Sequence, residues 1–90
     1  MMQGVQNPEL MHRGDPLPEA MRERLLALGY APHATDLLME GLPIVYAEDG
    51  LVVEYPSGRR LQVQHHKEYE QGEFRRYRYE VVRELPPAPR

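Results

Sequence analysis

Residues 59–83 read RRLQVQHHKEYEQGEFRRYRYEVVR. Apolar or aromatic residues alternate with polar ones on both sides of Gln71, Gly72 and Glu73, the pattern of a long antiparallel β-hairpin. The stretch also concentrates reactive side chains: His65, His66, Lys67, Tyr69, Tyr77, Tyr79 and a run of arginines. Its register is decided by parity. A two-residue Gln71-Gly72 turn would oppose Lys67 to Arg76 and Val63 to Glu80. An odd loop instead sets Val63 beside Val81, His65 beside Tyr79, Gln64 beside Glu80 and Glu68 beside Arg76. Cross-strand pairs of like charge, or of apolar with charged, are unfavourable, so the odd loop is expected.

Working back toward the N-terminus, Tyr55-Pro56-Ser57-Gly58-Arg59 forms a reversal. Pro56 suits the first central position of a type I turn and Gly58 the left-handed closing residue. This register pairs Val53 with Leu61, Leu51 with Val63 and Glu54 with Arg60. Before it, Asp49-Gly50 between two apolar runs signals a two-residue hairpin turn. That turn would pair Glu48 with Leu51, Tyr46 with Val53 and Ile44 with Tyr55. The expected result is a four-stranded meander with one coherent face: Ile44, Tyr46, Leu51, Val53, Tyr55, Leu61, Val63, His65, Tyr79 and Val81. Glu54, Arg60, Gln62, Gln64, His66, Glu68, Arg76, Arg78 and Glu80 would face solvent.

Two helices precede the strands. Asp15, Pro16 and Pro18 have the composition of a first helical turn, and Leu17, Met21, Leu25 and Leu28 then recur as one apolar stripe. Gly29 is expected to stop this helix in a left-handed conformation, with Tyr30 folding back on Leu25. A second helix, from residue 32 or 35 to 40, repeats the device with Gly41 and Leu42. Both helices are expected on the coherent face, giving a two-layer α+β domain. Residues 1–14 read as an N-terminal arm with an apolar anchor at Leu10 and Met11, residues 15–85 as a single domain, and residues 86–90 as an extended Pro-rich tail leaving it.

Composition restricts the chemistry. With 90 residues the chain makes one small domain, and 41% of its residues are hydrophobic. There is no cysteine, hence no disulfide, thiolate metal site or cysteine nucleophile. Ser57 and Thr35 are the only hydroxyls besides tyrosines, which leaves no basis for a serine or threonine triad. No apolar run has the roughly 20 residues of a membrane span, and the expected location is the cytoplasm. The net charge of −3 is unevenly spread. Residues 1–58 hold three arginines against nine acids, whereas residues 59–83 hold seven bases against four acids.

Several chemical readings compete within the hairpin. His65 and His66 are adjacent on a strand and so point to opposite faces, which argues against a shared metal ion. His65 is read as partly buried and bonded to a neighbour, His66 as exposed; His12 and His33 are read as surface residues. Glu68, Glu70, Glu73 and Glu80 read as the polar side of a ribbon rather than paired catalytic carboxylates. No metal, cofactor or catalytic residue is expected.

The geometry of the strands suggests a function. Strand two begins opposite Val63, yet strands three and four run on, so roughly five residues of each, about 16 Å, should project as a bare ribbon. Two strands alone are marginal in water, and these carry too many aromatics to leave wet, so the N-terminal arm, a second copy of the chain or another protein is expected to cover them. The expected role is a non-enzymatic interaction or regulatory module. His65, Lys67, Tyr69, Phe74, Arg75 and Tyr77 would bind a second copy of the chain, as a homodimer, or another protein. The alternative is an RNA- or DNA-contacting protein using Lys67, Arg75, Arg76 and Arg78, where arginine interleaved with tyrosine suits phosphates and bases. Two helices ahead of an antiparallel sheet also resemble the general layout of the small RelE-like ribonuclease toxins. That resemblance of layout implies an RNA-cleaving variant of the alternative, although the N-terminal strand of that family is not evident here.

Overall fold

A computed structural model describes residues 10–90 of the chain. Among the described residues, the helices α1 (Met21–Ala27) and α2 (Pro32–Met39) precede four strands. The strands are β1 (Ile44–Ala47), β2 (Leu51–Glu54), β3 (Arg60–Glu70) and β4 (Glu73–Leu85), paired in sequence order as an antiparallel meander. The architecture is α+β, with the helices packed against one face of the sheet through Ile44 and Tyr46. Among the described residues no helix is long and apolar enough to cross a membrane.

Both helices stop as their glycines suggest. At the end of α1, Gly29 takes φ +104° while the Tyr30 and Gly29 amides donate to the Leu25 and Leu26 carbonyls. After α2, Gly41 takes φ +90°, and the Leu42 and Gly41 amides donate to Leu37 and Leu38. This paired arrangement satisfies carbonyls that a helix end leaves open. The start of α1 differs from expectation. Asp15 caps nothing; the helix begins at Met21 behind Ala20, which makes no side-chain cap. A residue preceding proline is pushed out of helical backbone, and Pro16 and Pro18 impose this on Asp15 and Leu17. Leu28 is likewise outside the core, at 41% exposure, whereas Leu25 is fully buried.

The first hairpin corrects the expected face. Ala47 pairs with Leu51, Tyr46 with Val52, Val45 with Val53 and Ile44 with Glu54. Glu48, Asp49 and Gly50 therefore form a three-residue loop, with positive φ at Asp49 and Gly50. A shift of one residue turns every side chain of β1 over. Ile44 and Tyr46 thus share a face with Val52 and Glu54, not with Val53. They join Leu25, Leu38 and Met39 in the helical core. The other face carries a second cluster, in which Leu10 packs on Val53, Leu61 and Val63. The apolar run Leu51-Val52-Val53 is accordingly buried from both sides.

The remaining strand pairs follow the expected parity: Val53 with Leu61, Leu51 with Val63, His65 with Tyr79 and Glu68 with Arg76. The device at the tip is different. Gln71 and Gly72 form a two-residue turn with both φ positive, and Arg75 is an extra residue in β4. A bulge of one residue restores the odd parity that the turn alone would break. A second register shift, between Gln62 and Val63, leaves Val82 unpaired in β4 and 49% exposed.

Among the described residues, the two strands have no further sheet neighbour beyond Val63. Residues 64–70 of β3 and their β4 partners extend about 20 Å at roughly 3.3 Å per residue, and the described residues measure 49 × 22 × 20 Å. Residues 86–90 do not leave the domain as expected. The Ala88 amide donates to the Gly58 carbonyl (2.8 Å), and Arg90 reaches back across β2. The expected arm at residues 1–14 falls mostly on residues outside those described. Of its anchor pair, Leu10 is buried at 4% exposure and Met11 is exposed.

Candidate interaction surface

Alternation along the projecting ribbon sorts its side chains onto two faces. One face carries His65, Lys67 and Tyr69 from β3 with Phe74, Tyr77 and Tyr79 from β4. The rings form a continuous ladder. His65 stacks on Tyr79 (centroids 6.0 Å) and Tyr77 (5.1 Å), Tyr77 meets Phe74 edge-on (5.1 Å), and Phe74 meets Tyr69 edge-on (6.0 Å). Offset and edge-to-face contacts of this kind add about 0.5–1.5 kcal/mol beyond area burial. The ladder nevertheless becomes wetter toward the tip. Tyr79 is half-buried, whereas Tyr77 is 40%, Phe74 48% and Tyr69 60% exposed.

The opposite face is charged and internally matched. Glu68 accepts from both Arg76 (2.8 Å) and Arg78 (2.9 Å), while Arg75, at the bulge, pairs with Glu70 (2.7 Å). Hydrogen bonding to Arg76, reinforced by the charges of both arginines, holds the Glu68 carboxyl below its ordinary range. His66 bonds Glu80 at 3.0 Å. The two histidines have exchanged their expected situations: His65 is an exposed stacking ring, and His66 is the half-buried one with a bonded neighbour. Cross-strand position explains the exchange, since His65 lies opposite an aromatic and the face of His66 carries Glu80.

Of the interface residues read from sequence, His65, Lys67, Tyr69, Phe74 and Tyr77 therefore share one face, and Arg75 sits at the bulge beside it. The nucleic-acid set is divided. Lys67 lies on the aromatic face, whereas Arg76 and Arg78 lie on the other, each bonded to Glu68. Among the described residues no group of three or more His, Cys, Asp or Glu side chains could hold a metal ion.

A second constellation lies in the body, where no site was expected. Glu54 is 1% exposed. The Tyr30 hydroxyl donates to its Oε2 (2.5 Å), the Tyr46 hydroxyl to its Oε1 (2.7 Å), and Arg90 Nη2 to Oε2 (2.7 Å). Burial, assisted by the hydrogen bond to Glu54, pushes the Tyr30 hydroxyl up; burial likewise pushes Tyr46 up to about 12, against the pull of the nearby Arg60. For Arg90, burial opposes the charge, but the bonds to Glu54 and Tyr30 outweigh it and the guanidinium pKa is raised. Beside this group opens a cleft of about 580 Å³ between the α1–α2 turn and β1, with Pro89 forming part of its wall.

The expected solvent position of Glu54 failed because of its face-mate. Val52 shares that face and is completely buried, so a cover was required over Glu54 as well. Consecutive apolar residues in a short strand signal burial on both sides, and Leu51-Val52-Val53 was that signal. No protein-family model, curated protein or solved structure matches this chain.

Proposed function

We propose that this protein is a non-enzymatic interaction module that associates with a second copy of itself through the aromatic face of the β3–β4 ribbon. The observation that carries the reading is the row Tyr77, Phe74 and Tyr69, exposed among the described residues toward the tip of the hairpin. A two-stranded ribbon gains little stability alone, and large contiguous apolar surface on a soluble domain marks a contact site. Closed symmetric pairing is the commonest way for one chain to cover such a face. Tyrosine and phenylalanine are also well suited to interface cores, being large, rigid and tolerant of partial wetting. His65 and Lys67 would border the contact, and Arg75 would lie at its rim.

The RNA- or DNA-contacting reading ranks second, with the ribonuclease-like variant included in it. Arg75, Arg76 and Arg78 each have a carboxylate partner on the ribbon, so a phosphate would have to compete for them.

Sedimentation or light scattering on the native chain, beside Tyr69→Ser combined with Tyr77→Ser, tests the proposal. The native chain is expected to dimerise and the double variant to be monomeric while retaining its circular dichroism. A native chain that stays monomeric at high concentration removes self-association. Binding to generic RNA or duplex DNA that weakens steeply with salt would favour the second reading.

A further inference from the structure

The segment that crosses β2 carries Arg90, whose surroundings have the form of a receptor. All three guanidinium nitrogens of Arg90 are used. Nε donates to the Pro56 carbonyl (2.9 Å), Nη1 to the Tyr30 hydroxyl (2.9 Å), and Nη2 to both Glu54 Oε2 (2.7 Å) and the Tyr55 carbonyl (3.0 Å). Nη1 also donates to the adjacent Pro89 carbonyl (3.0 Å). The guanidinium carbon stands 5.4 Å from the centroid of the Tyr30 ring, within cation–π range. A planar fork is matched by acceptors in several directions, a fit that an ammonium point charge cannot reproduce.

Every receptor group belongs to the body of the fold. Tyr30 follows the α1 stop, Glu54 closes β2, and the Tyr55 and Pro56 carbonyls belong to the β2–β3 reversal. They are placed by secondary structure that does not involve the tail. Glu54 is 1% exposed; Arg60 reaches it only by way of the Tyr46 hydroxyl, and Arg90 is the guanidinium that bonds its carboxylate directly. A buried carboxylate without a cation is strongly unfavourable, so the site demands one. The tether is slight by comparison. Among the described residues, the segment 86–90 is hydrogen-bonded outside Arg90 by the Ala88 amide on Gly58 and by the Pro86 carbonyl, which accepts from Arg60 Nε.

We propose that Tyr30, Glu54 and the carbonyls of Tyr55 and Pro56 form a guanidinium-binding site, filled in cis by Arg90 and able to take an arginine side chain in trans when the tail is displaced. The ligand class is a guanidinium, either free or carried on a peptide. The neighbouring cleft, bounded by Pro89, is where the residues preceding a foreign arginine would lie. A tethered ligand competes at an effective concentration on the order of millimolar, so the native site is masked rather than absent.

The test uses the full chain with Arg90→Ala or Arg90→Lys, titrated with the peptide Pro-Pro-Ala-Pro-Arg, the same peptide ending in lysine, and N-acetyl-arginine amide. Amide and ring NMR shifts of Tyr30, Glu54 and Tyr55 report binding, and the thermal midpoint reports linkage. The arginine peptide is expected to shift these signals and raise the midpoint of Arg90→Ala. It should bind that variant at least about tenfold more tightly than the native chain, where the tail competes. The lysine peptide should bind more weakly, and Tyr30→Phe added to Arg90→Ala should weaken the arginine peptide. If N-acetyl-arginine amide binds as well as the arginine peptide, the guanidinium alone is recognised; if only the peptide binds, the flanking residues contribute. Arg90→Lys retains a cation for Glu54 and keeps the test open if Arg90→Ala is poorly folded. No binding of either arginine probe to folded Arg90→Lys or Arg90→Ala overturns the proposal, as does equal binding of the arginine and lysine peptides.

Discussion

Glu54 and Glu68 are built from the same parts and placed in opposite surroundings. Each lies on a strand and accepts hydrogen bonds on both carboxylate oxygens, with arginine among the donors. Glu54 is 1% exposed in the body; the Glu68 side chain keeps 31% of its surface on the ribbon. In a poorly polarisable interior, ionic and polar contacts are strong and their loss is costly, whereas water and salt screen the same contacts at a surface. The body therefore depends on its polar centre. The ribbon carries polar pairs that leave its aromatic face as the part with something to gain from contact.

The largest effect is expected at the buried centre. Glu54→Ala removes the carboxylate partner of Arg90 and the acceptor of two tyrosine hydroxyls, and breaking a buried pair in this way costs about 3–5 kcal/mol. That is a large share of the roughly 5–15 kcal/mol that holds a domain together. Urea denaturation should show the loss directly. A native-like midpoint would mean that Glu54 is not the organising acceptor that its burial implies.

Two glycines with similar backbone angles sharpen the contrast. Gly41 has φ +90° and Gly72 has φ +84°. A Cβ at Gly41 would collide with the Gly14 carbonyl, while one at Gly72 would meet nothing within 4 Å. Gly41→Ala should cost roughly 2–4 kcal/mol, combining left-handed strain with displaced backbone, and Gly72→Ala about 1 kcal/mol from strain alone. Equal losses in parallel denaturation curves would show that the Gly14–Gly41 contact yields without cost.

The same contrast governs what could be read from sequence. The α+β class, the glycine-stopped helices, and the β2–β3 and β3–β4 pairings were legible because each has a local cause: a left-handed glycine, a turn residue, or a period of two. The face of β1 was not. Asp49-Gly50 has the chemistry of a two-residue turn, yet the loop takes in Glu48, and that single residue moves Ile44 and Tyr46 to the helices. Tertiary burial decided between two loops that local chemistry allows. The aromatic face was visible in the alternation, whereas the Glu54 centre joins residues as far apart as Tyr30 and Arg90. Nothing local links those positions. The one available sign was the apolar run Leu51-Val52-Val53 in β2, which implied that the face carrying Glu54 was covered too.

Titration offers a smaller test of the same centre. With Tyr46 raised to about 12 in the folded state, against about 10 when unfolded, the native chain holds this proton more tightly. Its contribution is complete below the unfolded value and is lost as pH rises toward the folded one. Tyr30 is displaced in the same direction. Thermal midpoints should therefore fall across this alkaline window, and less steeply in Tyr46→Phe. The same slope in both chains would detach the Tyr46 hydroxyl from the stability of the centre.

On the ribbon, Glu68→Gln should produce the least change of all. Its carboxyl is held below the ordinary range chiefly by Arg76, so its contribution is present above the unfolded carboxylate pKa and is lost as pH falls through the folded one. Exposure and salt keep that contribution small. Near neutral pH the variant should unfold almost with the native chain, and added salt should narrow what difference there is. The substitution also releases Arg76 and Arg78 from a charged partner, so any nucleic-acid affinity of that face should rise in Glu68→Gln. A large loss of stability would place Glu68 with Glu54 as a structural centre and end the division of the molecule into a dependent body and a presenting ribbon. A small loss without gain in RNA or DNA binding leaves the aromatic face as the ribbon's working surface.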